Sequence, residues 1–127
     1  MTIVRQRGNG DCGTAALATI ASLTYDAVDR VMRHVDRVSH GKGGLNNEDI
    51  VMAARRLHIR LQPTRRYNLD ADRGVLRIRL NGRTTHRGHF VAVRDGFILC
   101  PACTDPMRWR DYLSAAEGRA CTLLRLD

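Results

Sequence analysis

The apolar pattern of this chain changes its period once, near residue 58, and that change narrows the folds open to it. Before it, apolar residues recur at helical spacing. Val28, Val31, Met32 and Val35 stand at i, i+3, i+4 and i+7, and Ile50, Ala53, Ala54 and Leu57 form a second stripe. Cys12 to Leu23 is apolar almost all round, which reads as a buried helix. From Ile59 and Leu61 onward the spacing turns to two. Val75 to Leu80 reads as a strand with Leu76, Ile78 and Leu80 on one face and Val75 on the other. His89 to Val93, Phe97 to Cys100 and Ala120 to Leu126 read as further strands. The pattern predicts an α+β fold, with N-terminal helices packed on a C-terminal antiparallel sheet.

Punctuation residues agree with this division. Gly8-Asn9-Gly10 marks a turn before the first helix. Thr24 is placed to cap a second helix with Asp26 in its first turn, and Asn46-Asn47-Glu48-Asp49 opens a third. Gly41 to Gly44 is a break between them. Asn81-Gly82 and Asp95-Gly96 are favoured two-residue hairpin turns. A length of 127 residues fits one domain, residues 1–127.

Composition excludes some classes. The hydrophobic fraction of 43% and charged fraction of 27% are those of a globular chain, and no apolar run approaches the roughly 20 residues of a membrane helix. The opening MTIVRQRGNGDCG has no apolar h-region, so no secretory signal is expected, and a cytoplasmic location is. The formal charge is +8, with Lys42 the one lysine among 21 basic residues. The arginines are scattered and few aromatics accompany them, which reads as a GC-rich coding background rather than a nucleic-acid surface. Nucleic acid is therefore not an expected partner.

Four cysteines, Cys12, Cys100, Cys103 and Cys121, are expected as reduced thiols. Cys100-Pro-Ala-Cys103 has no second pair and no matching histidines, so no metal and no cofactor is expected. A turn rather than a helix follows it, so Cys100, Cys103 and Cys121 read as structural thiols.

Cys12 stands apart. It lies where a glycine turn meets a buried helix, and a helix N-terminus stabilises a thiolate. Gly13 leaves room beside it for a substrate backbone. Among His34, His40, His58, His86 and His89, only His89 opens an apolar strand, directly after Gly88. If Asp95-Gly96 is a two-residue turn, His89 falls opposite Ala102, and Asp105 follows three residues later before Pro106. A carboxylate there would be in reach of the imidazole and would fix its tautomer.

Gln6, four intervening residues and then Asp11-Cys12-Gly13-Thr14-Ala15-Ala16-Leu17 resemble the active-site signature of the bacteriocin-processing cysteine peptidases, which are papain-like and remove double-glycine leaders. Gly88-His89-Phe90-Val91-Ala92-Val93 resembles that family's histidine strand, Asp105-Pro106 its third catalytic element, and Gly44 to Leu57 its middle helix. The resemblance spans Gln6 to about Met107. It implies a Cys12-His89-Asp105 triad, with the Gln6 side-chain amide and the Cys12 backbone N–H donating to the oxyanion. Gly13 and Gly88 would border the substrate. Such family members usually continue into an exporter. With none in these residues, the expected substrate is a peptide or protein with a flexible, glycine-containing segment. Arg5, Arg7 and Arg87 flank the expected cleft and would favour acidic residues there. Two alternatives are a non-catalytic peptide-binding domain on the same scaffold and a small basic nucleic-acid-binding or inhibitor protein.

Overall fold

Side chains just ahead of the helices explain where two of them start. In the computed structural model, which describes residues 2–8, 11–39, 46–80 and 89–127, three helices come first: α1 (Cys12–Ala21), α2 (Tyr25–Ser39) and α3 (Asn47–Arg56). The Thr24 hydroxyl accepts the Ala27 N–H at 3.2 Å and starts α2. Asn46 accepts the Asp49 N–H at 2.9 Å while Asp49 accepts the Asn46 N–H at 3.1 Å, a capping box that starts α3. Such a cap contributes about 1 kcal/mol. The N-cap of α1, Asp11, makes no side-chain capping bond; its carboxylate is used elsewhere.

The rest of the described chain is β1 (Leu61–Thr64), β2 (Gly74–Leu80), β3 (His89–Arg94), β4 (Phe97–Leu99), β5 (Met107–Arg108), α4 (Trp109–Ala116) and β6 (Gly118–Leu126). The strands form one antiparallel sheet in the order β1-β6-β2-β3-β4-β5. The α+β class and the antiparallel sheet match the sequence pattern. The turn at Asp95-Gly96 forms as expected: both residues have positive φ, and Arg94 pairs with Phe97. Asn9-Gly10, the Gly41 to Gly44 break and Asn81-Gly82 lie outside the described residues.

Helix α4 is the departure. The sequence division put all helices in the first half, yet α4 lies between β5 and β6. Its Trp109, Tyr112, Leu113 and Ala116 side chains cover the second face of the sheet. The sheet is thus buried on both sides. Val75, Phe90, Ala92, Leu99 and Leu124 pack against α1, α2 and α3. Leu76, Ile78, Val91, Val93, Ile98 and Leu123 pack toward α4. This alternation is the period-two pattern of the strands made physical. Among the described residues no helix is long and apolar enough to cross a membrane.

One close approach fixes the start of β2. Gly74 has φ +152°, and a Cβ there would stand 2.0 Å from the Leu124 carbonyl oxygen on β6. Both the dihedral and the contact exclude a side chain. Gly74→Ala should therefore lower stability by about 2–3 kcal/mol. The check is a urea titration, where the midpoint should fall with the slope unchanged; an unmoved midpoint would mean that β6 yields at no cost.

Candidate active site

Cys12 is the first residue of α1, so its sulfur sits beside backbone N–H groups that have no intrahelical acceptor. The residue is half-buried and packs against the helical core. His89 opens β3, as the sequence suggested, and shares its face of the strand with Val91 and Val93. The imidazole therefore stands at the strand's end, with the helical layer on one side and the α4 layer on the other.

His89 meets both layers. Burial pushes the Cys12 thiol up, but hydrogen bonds from His89 and from the backbone N–H groups of Phe90 and Gly13 outweigh it, so the thiol lies below its ordinary value. On its other side His89 Nε2 stands 3.3 Å from Cys100 Sγ. The Tyr112 hydroxyl, from α4, donates to the same sulfur at 3.2 Å. Burial disfavours the imidazolium, yet Cys100 and then Cys12 outweigh this and raise His89 to about 9. Burial likewise pushes Cys100 up, and His89, Tyr112 and the Ala102 N–H reverse it, bringing the thiol down to about 7. One imidazole thus stands between two sulfurs, and each pairing favours the charged form of both partners.

Asp105 is not part of this contact. It is exposed, and its carboxylate accepts from the Thr104 hydroxyl at 3.5 Å; among the described residues no hydrogen bond or ion pair joins it to His89. The physical reason is the end of the ladder. The hairpin register is the expected one, but pairing stops at Ala92 with Leu99, and the Cys103 N–H turns back to the Cys100 carbonyl at 3.0 Å. That turn carries Asp105 outward. The group that faces the imidazole is Cys100, read from sequence as a structural thiol. Its signal was present: one more step of the register sets Cys100 opposite Val91, diagonal to His89 on the same face.

Gln6 is held near this turn. Its backbone N–H donates to the Pro101 carbonyl at 3.1 Å. Its side-chain amide donates to the Gly8 carbonyl at 2.9 Å, and Oε1 is buried without a partner among the described residues. In this arrangement the amide is spoken for, and an oxyanion would need it to let go of Gly8. Gly13 is buried in the first turn of α1, where its N–H faces the Cys12 sulfur. Gly88, Arg87, His40 and His86 lie outside the described residues. His34 and His58 are exposed.

Asp11 and Tyr25 were missed by the sequence reading as site residues. The Asp11 carboxylate accepts the Arg7 N–H at 2.7 Å, the Gly8 N–H at 3.3 Å and the Tyr25 hydroxyl at 2.6 Å. Burial pushes this carboxyl up, but those three donors outweigh it and keep the acid below its ordinary value. Arg7 lies 4.2 Å over the Tyr25 ring and pairs with Asp26 at 2.7 Å. Asp11 thus holds in shape the segment that carries Gln6. Compared with protein-family models and with curated proteins, the chain matches none.

The pairing of Cys12 with His89 has a measurable sign. The imidazolium lowers the thiol, so iodoacetamide should alkylate Cys12 along a pH profile whose midpoint lies below the ordinary thiol range of about 8.5. In His89→Gln that midpoint should move up. Peptide mapping follows Cys12 alone, and a midpoint indifferent to the substitution would mean the thiol is not activated by the ring.

Proposed function

We propose that this chain is a papain-like cysteine peptidase that hydrolyses a peptide bond in a flexible, glycine-containing segment. The observation that carries the reading is the half-buried Cys12 at the N-terminus of α1, its thiol held below the ordinary value by the neighbouring imidazole of His89, which opens β3. A helix start and an imidazolium are the two devices that make a thiol a nucleophile near neutral pH. The sequence around Cys12 and His89 resembles the bacteriocin-processing peptidases, which supports the same reading.

The Cys12 thiolate attacks the scissile carbonyl carbon. The negative charge that develops on the carbonyl oxygen is met by the Cys12 backbone N–H, which α1 leaves free, and by the Gln6 amide once it turns from Gly8. Each such donor contributes about 3 kcal/mol to the barrier's lowering. His89 gives its proton to the leaving amine, and Cys12 remains as a thioester. His89 then takes a proton from water, whose oxygen attacks the thioester and frees the thiol. In this reading the group that keeps the ring aimed at Cys12 is Cys100 with Tyr112 behind it, and Asp105 has no part.

The test is hydrolysis of flexible peptides containing paired glycines, read by mass spectrometry. Cys12→Ala and His89→Ala should each lower the rate by at least about 10³-fold while the circular dichroism stays native. Asp105→Ala should keep it within about twofold, the range of a surface substitution. Equal activity of wild type and Cys12→Ala would sink the peptidase reading. A large loss in Asp105→Ala would return the carboxylate to the mechanism.

A further inference from the structure

We propose that Cys100 and Cys103 form a redox-active dithiol that closes to a disulfide by exchange with a low-molecular-weight disulfide, and that closure removes the second sulfur partner of His89. The exchange itself stands apart from the peptidase reading; only its effect on His89 as a catalytic base rests on it.

The geometry is that of a C-x-x-C on a tight turn. The Cys103 N–H donates to the Cys100 carbonyl at 3.0 Å, closing a four-residue turn whose ends lie within the Cα separation a disulfide spans. Both residues are free thiols and pack in the same cluster, and beyond its burial the Cys103 thiol is pushed up by Cys100, which hydrogen-bonds to it. Their surroundings differ. Cys103 is half-buried, with the exposed Arg5 close enough to act on it. Cys100 is only 3% exposed, and its sulfur is held by His89 at 3.3 Å and Tyr112 at 3.2 Å. Those contacts favour a thiolate where no bulky disulfide can reach it.

The order of events follows from access. Cys103, as thiolate after losing its proton to solvent, attacks one sulfur of the incoming disulfide and releases the other half as a thiolate. Burial and then the charge on Cys100 push the Cys103 thiol up, so this first step is slow. The Cys100 thiolate then attacks Cys103 Sγ, forms the Cys100–Cys103 bond and expels the second half. Two protein thiols are oxidised, one small disulfide is reduced to two thiols, and the two protons end on those products. The second step is intramolecular and starts from a stabilised thiolate, so the mixed disulfide does not accumulate.

The experiment uses the full chain with the exposed Cys121 replaced, Cys121→Ser, treated with glutathione disulfide, quenched in acid, alkylated and mapped. One disulfide linking Cys100 to Cys103 is expected, with Cys12 still alkylatable. Adding Cys100→Ser should leave glutathione trapped on Cys103, and adding Cys103→Ser should leave Cys100 reduced. The His89 ring, followed by NMR, should titrate at lower pH in the oxidised protein, because a sulfur that raised it has been withdrawn. A disulfide containing Cys12 would overturn the proposal. So would two reduced thiols under conditions that glutathionylate Cys121 in the parent chain, or a Cys100→Ser protein with no adduct on Cys103. Failure here leaves the hydrolysis assay untouched, and failure of hydrolysis leaves the disulfide map untouched.

Discussion

A slip of β3 by one residue would exchange its two buried faces, and the rest of the structure depends on this not happening. Phe90 and Ala92 belong to the helical core, while Val91 and Val93 belong to the core under α4. Fully burying a Val or Phe side chain contributes about 1.5–3 kcal/mol, so a slipped register forfeits several such contributions at once. The lock on these apolar residues also decides the parity of His89. It puts the imidazole on the face of Cys100 and Tyr112, while the strand's end leaves it open to Cys12 from the other layer. Packing thus does the aiming, and chemistry inherits it.

The same pleat explains what could be read without coordinates. Strands β2, β3, β4 and β6, the Asp95-Gly96 turn and the caps at Thr24 and Asn46 depend on neighbours in sequence, so local pattern found them, while the two-residue β5 carries too short a pattern to read. Cys12 and His89 were legible because each sits at the end of an element with a strong signal. Asp105 was placed by counting past the end of a ladder, where a count has no force: the turn at Cys100–Cys103 redirects the chain. Helix α4 was legible and overlooked. Trp109, Tyr112, Leu113 and Ala116 stand at i, i+3, i+4 and i+7, but eight residues after a proline turn make a short stripe. With α4 unseen, Tyr112 had no route to the site and Cys100 had no partner.

Few bonds hold the N-terminal segment that carries Gln6. Val4 donates its N–H to the buried Thr19 hydroxyl at 2.9 Å, and Gln6 donates to the Pro101 carbonyl. Between Gln6 and α1 the Asp11 carboxylate gathers Arg7, Gly8 and Tyr25. The segment therefore touches α1, α2 and the cysteine turn together. Asp11 gives up the usual capping bond of α1 to do this. Of the N–H groups left uncapped at the helix start, that of Gly13 faces the Cys12 sulfur.

Trp109 is the chain's single tryptophan, and it begins α4. Its indole N–H donates to Asp70 at 2.8 Å, Arg110 lies 4.6 Å over the ring, and its body packs against the core under α4. Fluorescence excited at the indole band therefore comes from one layer of the molecule, the layer that contributes Tyr112 to the site. The chain carries its own optical label on the side of the sheet opposite α1 and Cys12.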